Sequence, residues 1–315
     1  MATIGKNIHH AVQVLSEGQV IGMPTETVYG LAGNALNEEA IVRIFEVKNR
    51  PRFDPLIAHI GHRDQLTDLA KDIPSQAVQL IDAFWPGPLT LLLEKTTVVP
   101  HLLTSGSSRV AIRLPAHEVA RALLSKVHFP LAAPSANPFG YVSPTTARHV
   151  HDQLGDRIPY ILDGGPSAIG LESTIVGFEM GRPVVYRLGG LTLEAIEDVI
   201  GEVTLQRNKS SNPAAPGMLK SHYSPGKPVI IGDVPELLEQ YDAQKTGVIS
   251  LSEQYDVLEM QALSPSGSVT EAAQHLFRVL RLLDDSDVEV ILAERFPDEG
   301  LGRAINDRLE RAGAR

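Results

Sequence analysis

The chain has 315 residues, 43% of them hydrophobic and 21% charged, which is long enough for two domains. A formal net charge of −10 argues against a dedicated nucleic-acid binder, although a local basic groove is still allowed. The lack of cysteine excludes disulfides and thiolate metal sites. With no signal-peptide core and no apolar run near the roughly 20 residues of a membrane span, the cytoplasm is the expected location.

In chain order, Ile8, Val12 and Leu15 recur at helical spacing, and Gly18 stands where a C-terminal cap belongs. His9 and His10 are adjacent, so they point in different directions and read as surface residues. The apolar run 20–23 reads as a strand feeding a Pro24-Thr25-Glu26-Thr27 turn. A helix begins at Asn37-Glu38-Glu39 and is followed by Lys48, Arg50 and Arg52. Pro55-Leu56-Ile57-Ala58 reads as a second short buried strand. A Lys-x-Arg pair at a helix end is commonly a solvated last turn, and Thr-x-Thr is commonly a turn or cap. Thr25 and Thr27 nevertheless sit too early to cap this helix, which leaves their hydroxyls available. Hydroxyls beside fixed positive charge suit a phosphorylated, polar ligand.

Residues 63–70 and 73–85 read as helices, the second with Pro74 in its first turn, and 89–93 as a buried strand. Residues 107–115 read as a strand with Arg109 and Arg113 on one side. An internal salt bridge would satisfy such a pair in isolation, but beside a second cationic cluster an anionic ligand is favoured. A helix at 118–127 precedes a strand that ends in Ser135-Ala136-Asn137. Ser143 then reads as the N-cap of a helix with Pro144 at its first position, a natural phosphate seat. Residues 160–163 form a strand running into Gly164-Gly165-Pro166, which is no dinucleotide fingerprint. Two strands near 172–176 and 183–188 pair across a Met-Gly-Arg-Pro turn, and 193–200 is a helix.

Residues 204–226 have linker composition. Yet Pro216-Gly217-Met218 and His222-Tyr223-Ser224-Pro225 are too specific for a spacer, and the segment is expected to close over a ligand as a lid. Beyond it, strands and helices alternate through a compact α/β unit that shows no cluster of catalytic groups. The expected division is therefore 1–203, 204–226 and 227–315.

Several strings carry a resemblance. They are Pro24-Thr25-Glu26-Thr27-Val28-Tyr29-Gly30-Leu31, Lys48-x-Arg50-Pro51, Pro55-Leu56-Ile57-x-His59, Trp85-Pro86-Gly87-Pro88-Leu89-Thr90, the Ser107-to-Pro115 strand, Ser135-Ala136-Asn137 with Ser143-Pro144-Thr145, and the Pro-Gly-Met and His-Tyr-Ser-Pro pair. Together the chain resembles the YrdC/TsaC threonylcarbamoyl-adenylate synthases in their long, two-domain form. That resemblance implies an α/β fold: an open twisted sheet with a concave active-site face, then a small Rossmann-like domain. It implies a reaction in which L-threonine and bicarbonate give N-carboxythreonine, whose carboxylate attacks the α-phosphate of ATP, releasing pyrophosphate. The product would feed a downstream tRNA threonylcarbamoyl-transferase complex, with direct tRNA contact left open.

By the same resemblance, Lys48 and Arg50 supply catalytic charge. Thr27, His59, Arg113, Ala133 and Ser173 hold threonine. Arg50, Asp54, Arg109, Ser135, Asn137, Ser143, Arg187 and Tyr223 hold ATP, with Mg²⁺ arriving on its phosphates and no protein metal site. The Asp163-Gly164-Gly165 and Glu172-Ser173-Thr174 strings also line the site. Asp54 departs from the family's usual Asn, Gly177 from its usual Asp, and Leu219-Lys220-Ser221 from its basic or aromatic residues. An RNA-binding module and a carbamoyl-adenylate enzyme with another acceptor are the competing readings.

Overall fold

The structure is a computed structural model and describes residues 1–206 and 222–314. The first domain runs β1 (Thr3–Gly5), α1 (Ile8–Ser16), β2 (Ile21–Met23), β3 (Gly30–Asn34), α2 (Glu38–Lys48), β4 (Ile57–His59), α3 (Leu66–Leu69), α4 (Ser75–Phe84), β5 (Leu89–Glu94), β6 (Arg109–Arg113), α5 (Glu118–Leu124), β7 (Leu131–Ala132), α6 (Ala147–Leu154), β8 (Tyr160–Leu162), β9 (Thr174–Glu179), β10 (Arg182–Arg187), α7 (Leu193–Ile200) and β11 (Thr204–Leu205). The second runs β12 (Val229–Ile231), α8 (Val234–Leu238), β13 (Thr246–Ser250), β14 (Glu259–Ala262), α9 (Val269–Asp285), β15 (Val290–Ala293) and α10 (Gly302–Gly313).

Among the described residues the first domain is built on one mixed sheet of eleven strands, ordered β1-β8-β2-β3-β7-β4-β6-β5-β9-β10-β11. The main core sets α2, α4 and α7 against one face through Ile41, Ile44, Leu80 and Ile196. A second core packs α1 and α5 over the other face near β2 and β7. Further along that sheet a small apolar cluster (Ile57, Leu92, Ala111, Ile175, Val184 and Tyr186) is drawn from strands alone. The second domain is a four-stranded parallel sheet, β12-β15-β13-β14, whose α9 and α10 contribute to a core that also takes in Val28, Val142 and Leu171 of the first domain. None of the described helices is long and apolar enough to cross a membrane.

Four local expectations are corrected. A strand, β3, intervenes between the Thr-Glu-Thr turn and α2. Pro74 is the N-cap residue of α4 and lies outside its first turn. Ser143 caps nothing, because α6 begins at Ala147 with Thr146 as its N-cap. Thr204–Leu205 pairs in parallel with β10, so the first residues of the connecting segment belong to the first sheet. Pro216-Gly217-Met218 and Leu219-Lys220-Ser221 lie outside the described residues.

Candidate active site

Strand register assembles one side of the site. β4 pairs with β6 so that His59 stands opposite Arg113, and β5 pairs with β6 so that Thr90 stands opposite Arg113 on its other side. Thr90 in turn meets the Ser173 hydroxyl at 2.7 Å. The turn after β2 then folds over this row. The Thr25 hydroxyl donates to the Val28 carbonyl at 2.5 Å, so its 2.8 Å contact with Thr27 is one in which Thr27 donates. Arg113 donates from Nη1 to the Thr27 hydroxyl (2.7 Å) and from Nη2 to Glu26 (2.5 Å). The two threonine hydroxyls are therefore engaged with each other and with Arg113, contrary to the expectation that they are free. The internal partner for Arg113 also exists, and it is Glu26.

The end of α2 delivers the cationic cluster. Asn49 takes a left-handed conformation (φ 53°), and the Arg50 N–H closes on the Phe45 carbonyl at 2.9 Å. Lys48, in the last helical turn, is thereby turned into the interior and Arg50 toward the pocket. Lys48 donates to the carbonyls of Ser135 and Asn137, both at 2.5 Å, and does not line the pocket. Burial, reinforced by the Arg50 charge, holds its ammonium well below its usual pKa. Arg50 does line the pocket. It is held by the Asp54 carboxylate (2.9 Å) and by the carbonyls of Asp54 (3.1 Å) and Pro55 (2.8 Å). The acid that departs from the family pattern is thus a counter-ion to Arg50 set behind the wall.

Across the pocket, Arg187 donates to the Ser173 carbonyl through Nε (3.1 Å) and Nη2 (2.8 Å), and to its hydroxyl (3.1 Å). Burial lowers the Arg187 pKa to about 10, which still leaves it charged at neutral pH. Tyr223, with φ at 64°, stacks on Phe277 at 5.4 Å and carries the guanidiniums of Arg308 and Arg311 at 5.0 and 4.9 Å. His222 packs edge-on against its ring at 4.2 Å, and both residues line the pocket. Glu172 is buried in the wall, accepting from the Ser143 hydroxyl at 2.6 Å and from Arg308 at 2.9 Å. Burial raises its carboxyl pKa, but the Arg308 and Arg187 charges outweigh that and hold it below the usual value. His59 is driven down to about 3 by burial and the Arg113 charge, so its imidazole is neutral.

The resulting cavity has a volume of about 50 Å³, room for a few waters. Of the residues expected there, it gathers Thr27, Arg50, His59, Arg113, Ala133, Ser135, Ser173, Arg187 and Tyr223. Lys48, Asp54, Asn137 and Ser143 stand behind it. Asn137 is fully buried and donates to the carbonyls of Pro138 (2.8 Å) and Tyr141 (2.9 Å), stapling its own loop. Arg109 shares a strand face with Arg113 but lies about 13 Å along it. There it donates to the Tyr186 hydroxyl at 2.7 Å, outside the cavity. From the second domain, Arg308 of α10 reaches the pocket wall through Glu172. One of three arginines in a helix of ordinary amphipathic pattern, it carries no mark of that role in the sequence.

Residues 13–189 match a family described as telomere recombination, and residues 191–314 match the threonylcarbamoyl-AMP synthase C-terminal domain. The chain is 45% identical over 320 residues to a threonylcarbamoyl-AMP synthase of Pyrococcus abyssi, covering 97% of this chain and 93% of that one. It is 40% identical to a threonylcarbamoyl-AMP synthase of Bacillus subtilis, covering 99% and 94%. The fold superposes on the crystal structure of P. abyssi Sua5 complexed with L-threonine with a TM-score of 0.94 at 42% identity, over 99% of this chain and 97% of that one. The mixed sheet and the parallel four-stranded second domain are thus shared along nearly the whole length, and the chain belongs to the two-domain threonylcarbamoyl-AMP synthases, a family of nucleotidyltransferases.

Proposed function

We propose that the pocket binds L-threonine against Thr27, His59, Arg113, Ala133 and Ser173, and ATP against Arg50, Ser135, Arg187 and Tyr223. The observation that carries this reading is the division of the wall. Hydroxyls and a neutral imidazole surround an arginine already paired with Glu26, whereas Arg50 and Arg187 present guanidiniums beside Tyr223. The first set suits a small polar amino acid. The second suits phosphates, which guanidiniums bind as planar forks.

The threonine amine takes up bicarbonate with loss of water to give a carbamate. A carbamate oxygen then attacks the α-phosphorus of ATP as the bond to the β-phosphate oxygen breaks, giving threonylcarbamoyl-AMP and pyrophosphate. This chemistry needs alignment and charge neutralisation, which the fixed guanidiniums supply. Neutral His59 adds no further charge beside the amine. Lys48 acts indirectly, by holding the turn that carries Ser135.

The carboxylates nearest the pocket are engaged by arginines: Glu26 by Arg113, Asp54 by Arg50 and Glu172 by Arg308. Among the described residues no group of three or more acidic or histidine side chains could hold a metal ion. Mg²⁺ therefore fits as a companion of the ATP phosphates, where it would neutralise charge. His222 and Tyr223 line a cavity far smaller than the roughly 300–1,000 Å³ typical of ligand sites. They would have to lift for entry, and reclosure would shield the mixed anhydride from water. The product would pass, in the cytoplasm, to a tRNA threonylcarbamoyl-transferase complex.

Pyrophosphate release from ATP and bicarbonate, measured with and without threonine, tests the reading. Release should depend on threonine, and Tyr223→Ala should lose most of it. Release independent of threonine, or equal with alanine, would overturn the amino-acid assignment.

A further inference from the structure

Arg308 is fully buried on α10, in the second domain. Its Nε donates to Glu172 at 2.9 Å, its Nη2 to the Leu188 carbonyl at 2.7 Å and its Nη1 to Asp307 at 2.5 Å. Its guanidinium carbon lies 5.0 Å from the centre of the Tyr223 ring. Glu172 immediately precedes Ser173, and Leu188 immediately follows Arg187. One guanidinium therefore grips the outer neighbours of two pocket residues that bind each other, and stacks against a third. We propose that Arg308 is a positioning residue that sets the nucleotide-facing wall of the pocket and neutralises Glu172 there. This rests on the assignment of ATP to Arg187 and Tyr223.

A buried ion pair is weak evidence for stability, because well-packed apolar residues often serve as well. Its value here is local. Glu172 lines the pocket, so without Arg308 its carboxylate would stand uncompensated beside an anionic ligand. The remaining charge facing it, from Arg187, would then be divided between Glu172 and phosphate. Arg308 also carries information between domains, since the second domain must be docked for the wall of the first to be complete. Other contacts dock the same domain without touching the pocket. Arg303 pairs with Glu194 at 2.5 Å, and Tyr141 donates to Asp284 at 2.7 Å.

The test compares Arg308→Met, the double variant Glu172→Gln/Arg308→Met, and Arg303→Ala in the full chain. The KM for ATP and for threonine are measured separately, beside thermal midpoints. Arg308→Met should raise the KM for ATP by about tenfold or more and that for threonine much less. The double variant should recover most of the loss by removing the uncompensated charge, and Arg303→Ala should leave both KM values unchanged. Equal rises for the two substrates, no recovery in the double variant, or the same loss in Arg303→Ala would reduce Arg308 to a docking contact. Should Arg308→Met fail to fold, Arg308→Lys keeps the charge and loses the fork. It should raise the KM for ATP about threefold at an unchanged thermal midpoint, and an unchanged KM with a lowered midpoint overturns the proposal. Calorimetric binding of a non-hydrolysable ATP analogue repeats the comparison without turnover. A chain that binds nucleotide but releases no pyrophosphate with threonine would sink the functional reading while leaving the Arg308 comparison intact.

Discussion

A lysine ammonium held by two main-chain carbonyls in the interior is a structural tie, and its removal has a definite signature. Lys48→Met would leave the Ser135 and Asn137 carbonyls without their donor. Each unsatisfied group costs about 1–3 kcal/mol. Stability and turnover should fall together in a urea-unfolding and pyrophosphate assay, and a variant of normal stability with no activity would return Lys48 to the ligand. Gly177 is a second residue whose meaning is steric. A Cβ there would stand 2.8 Å from the Tyr186 ring and 3.2 Å from the Leu92 Cβ. The family's usual Asp would have to displace the Tyr186 ring to fit. Gly177→Asp should cost about 1–3 kcal/mol in unfolding free energy, as overpacking does. Tyr186→Leu in the same chain should restore part of it, and a neutral single substitution would show that the ring simply moves aside. The motifs made the hydroxyls and guanidiniums of this site legible. They left unmarked which of them face the ligand, because that is decided by partners far along the chain. Ser143 before a proline has the local pattern of a cap, but the helix starts at Ala147 and the hydroxyl goes to Glu172, 29 residues later.

The turn that ends α2 decides where Lys48 and Arg50 point. Asn49 occupies the left-handed region, which Gly tolerates freely and a β-branched residue does not. Asn49→Gly should therefore keep stability within about 1 kcal/mol and leave ATP affinity unchanged. Asn49→Val should cost about 1–2 kcal/mol and weaken ATP binding by shifting Arg50. Equal ATP affinity in the two variants would mean that the turn does not position the guanidinium. Most elements were legible from periodicity: α7 and the β9–β10 hairpin fall where the pattern puts them. β3 was not, because Gly30-Leu31-Ala32-Gly33-Asn34 lacks strand-forming side chains. Its glycines answer to packing instead, since a Cβ at Gly30 would lie 3.0 Å from the Ala133 Cβ and one at Gly33 3.1 Å from Val20.

The two domains share a core and a charge network, so the molecule should respond to acid as one body. His59 and His222 are buried at its centre, one beside Arg113 and the other among Arg311, Arg50, Lys48 and Arg308. Burial and these cations depress both imidazoles, His59 to about 3 and His222 well below its ordinary value. The partly exposed His149 is lowered to about 4 by burial and Arg281 across the domain interface. When the chain unfolds, all three return to about 6.5 and take up protons that the folded state does not bind. Stability is thus intact above pH 6.5 and falls as pH drops below it. Each fully buried histidine contributes a slope of about 1.4 kcal/mol per pH unit, with a smaller, solvent-screened share from His149. Glu26 and Glu172 act in a different window. Their arginine partners hold them below 4.5, so their contribution is present above that pH and is lost only beneath it. Between pH 6 and 5 the histidines should therefore set a slope near 3 kcal/mol per unit in urea-unfolding free energy. His222→Asn should remove about half of it. A curve that stays flat from pH 7 to 5 would mean that these imidazoles meet water in the folded protein and that the pocket is open.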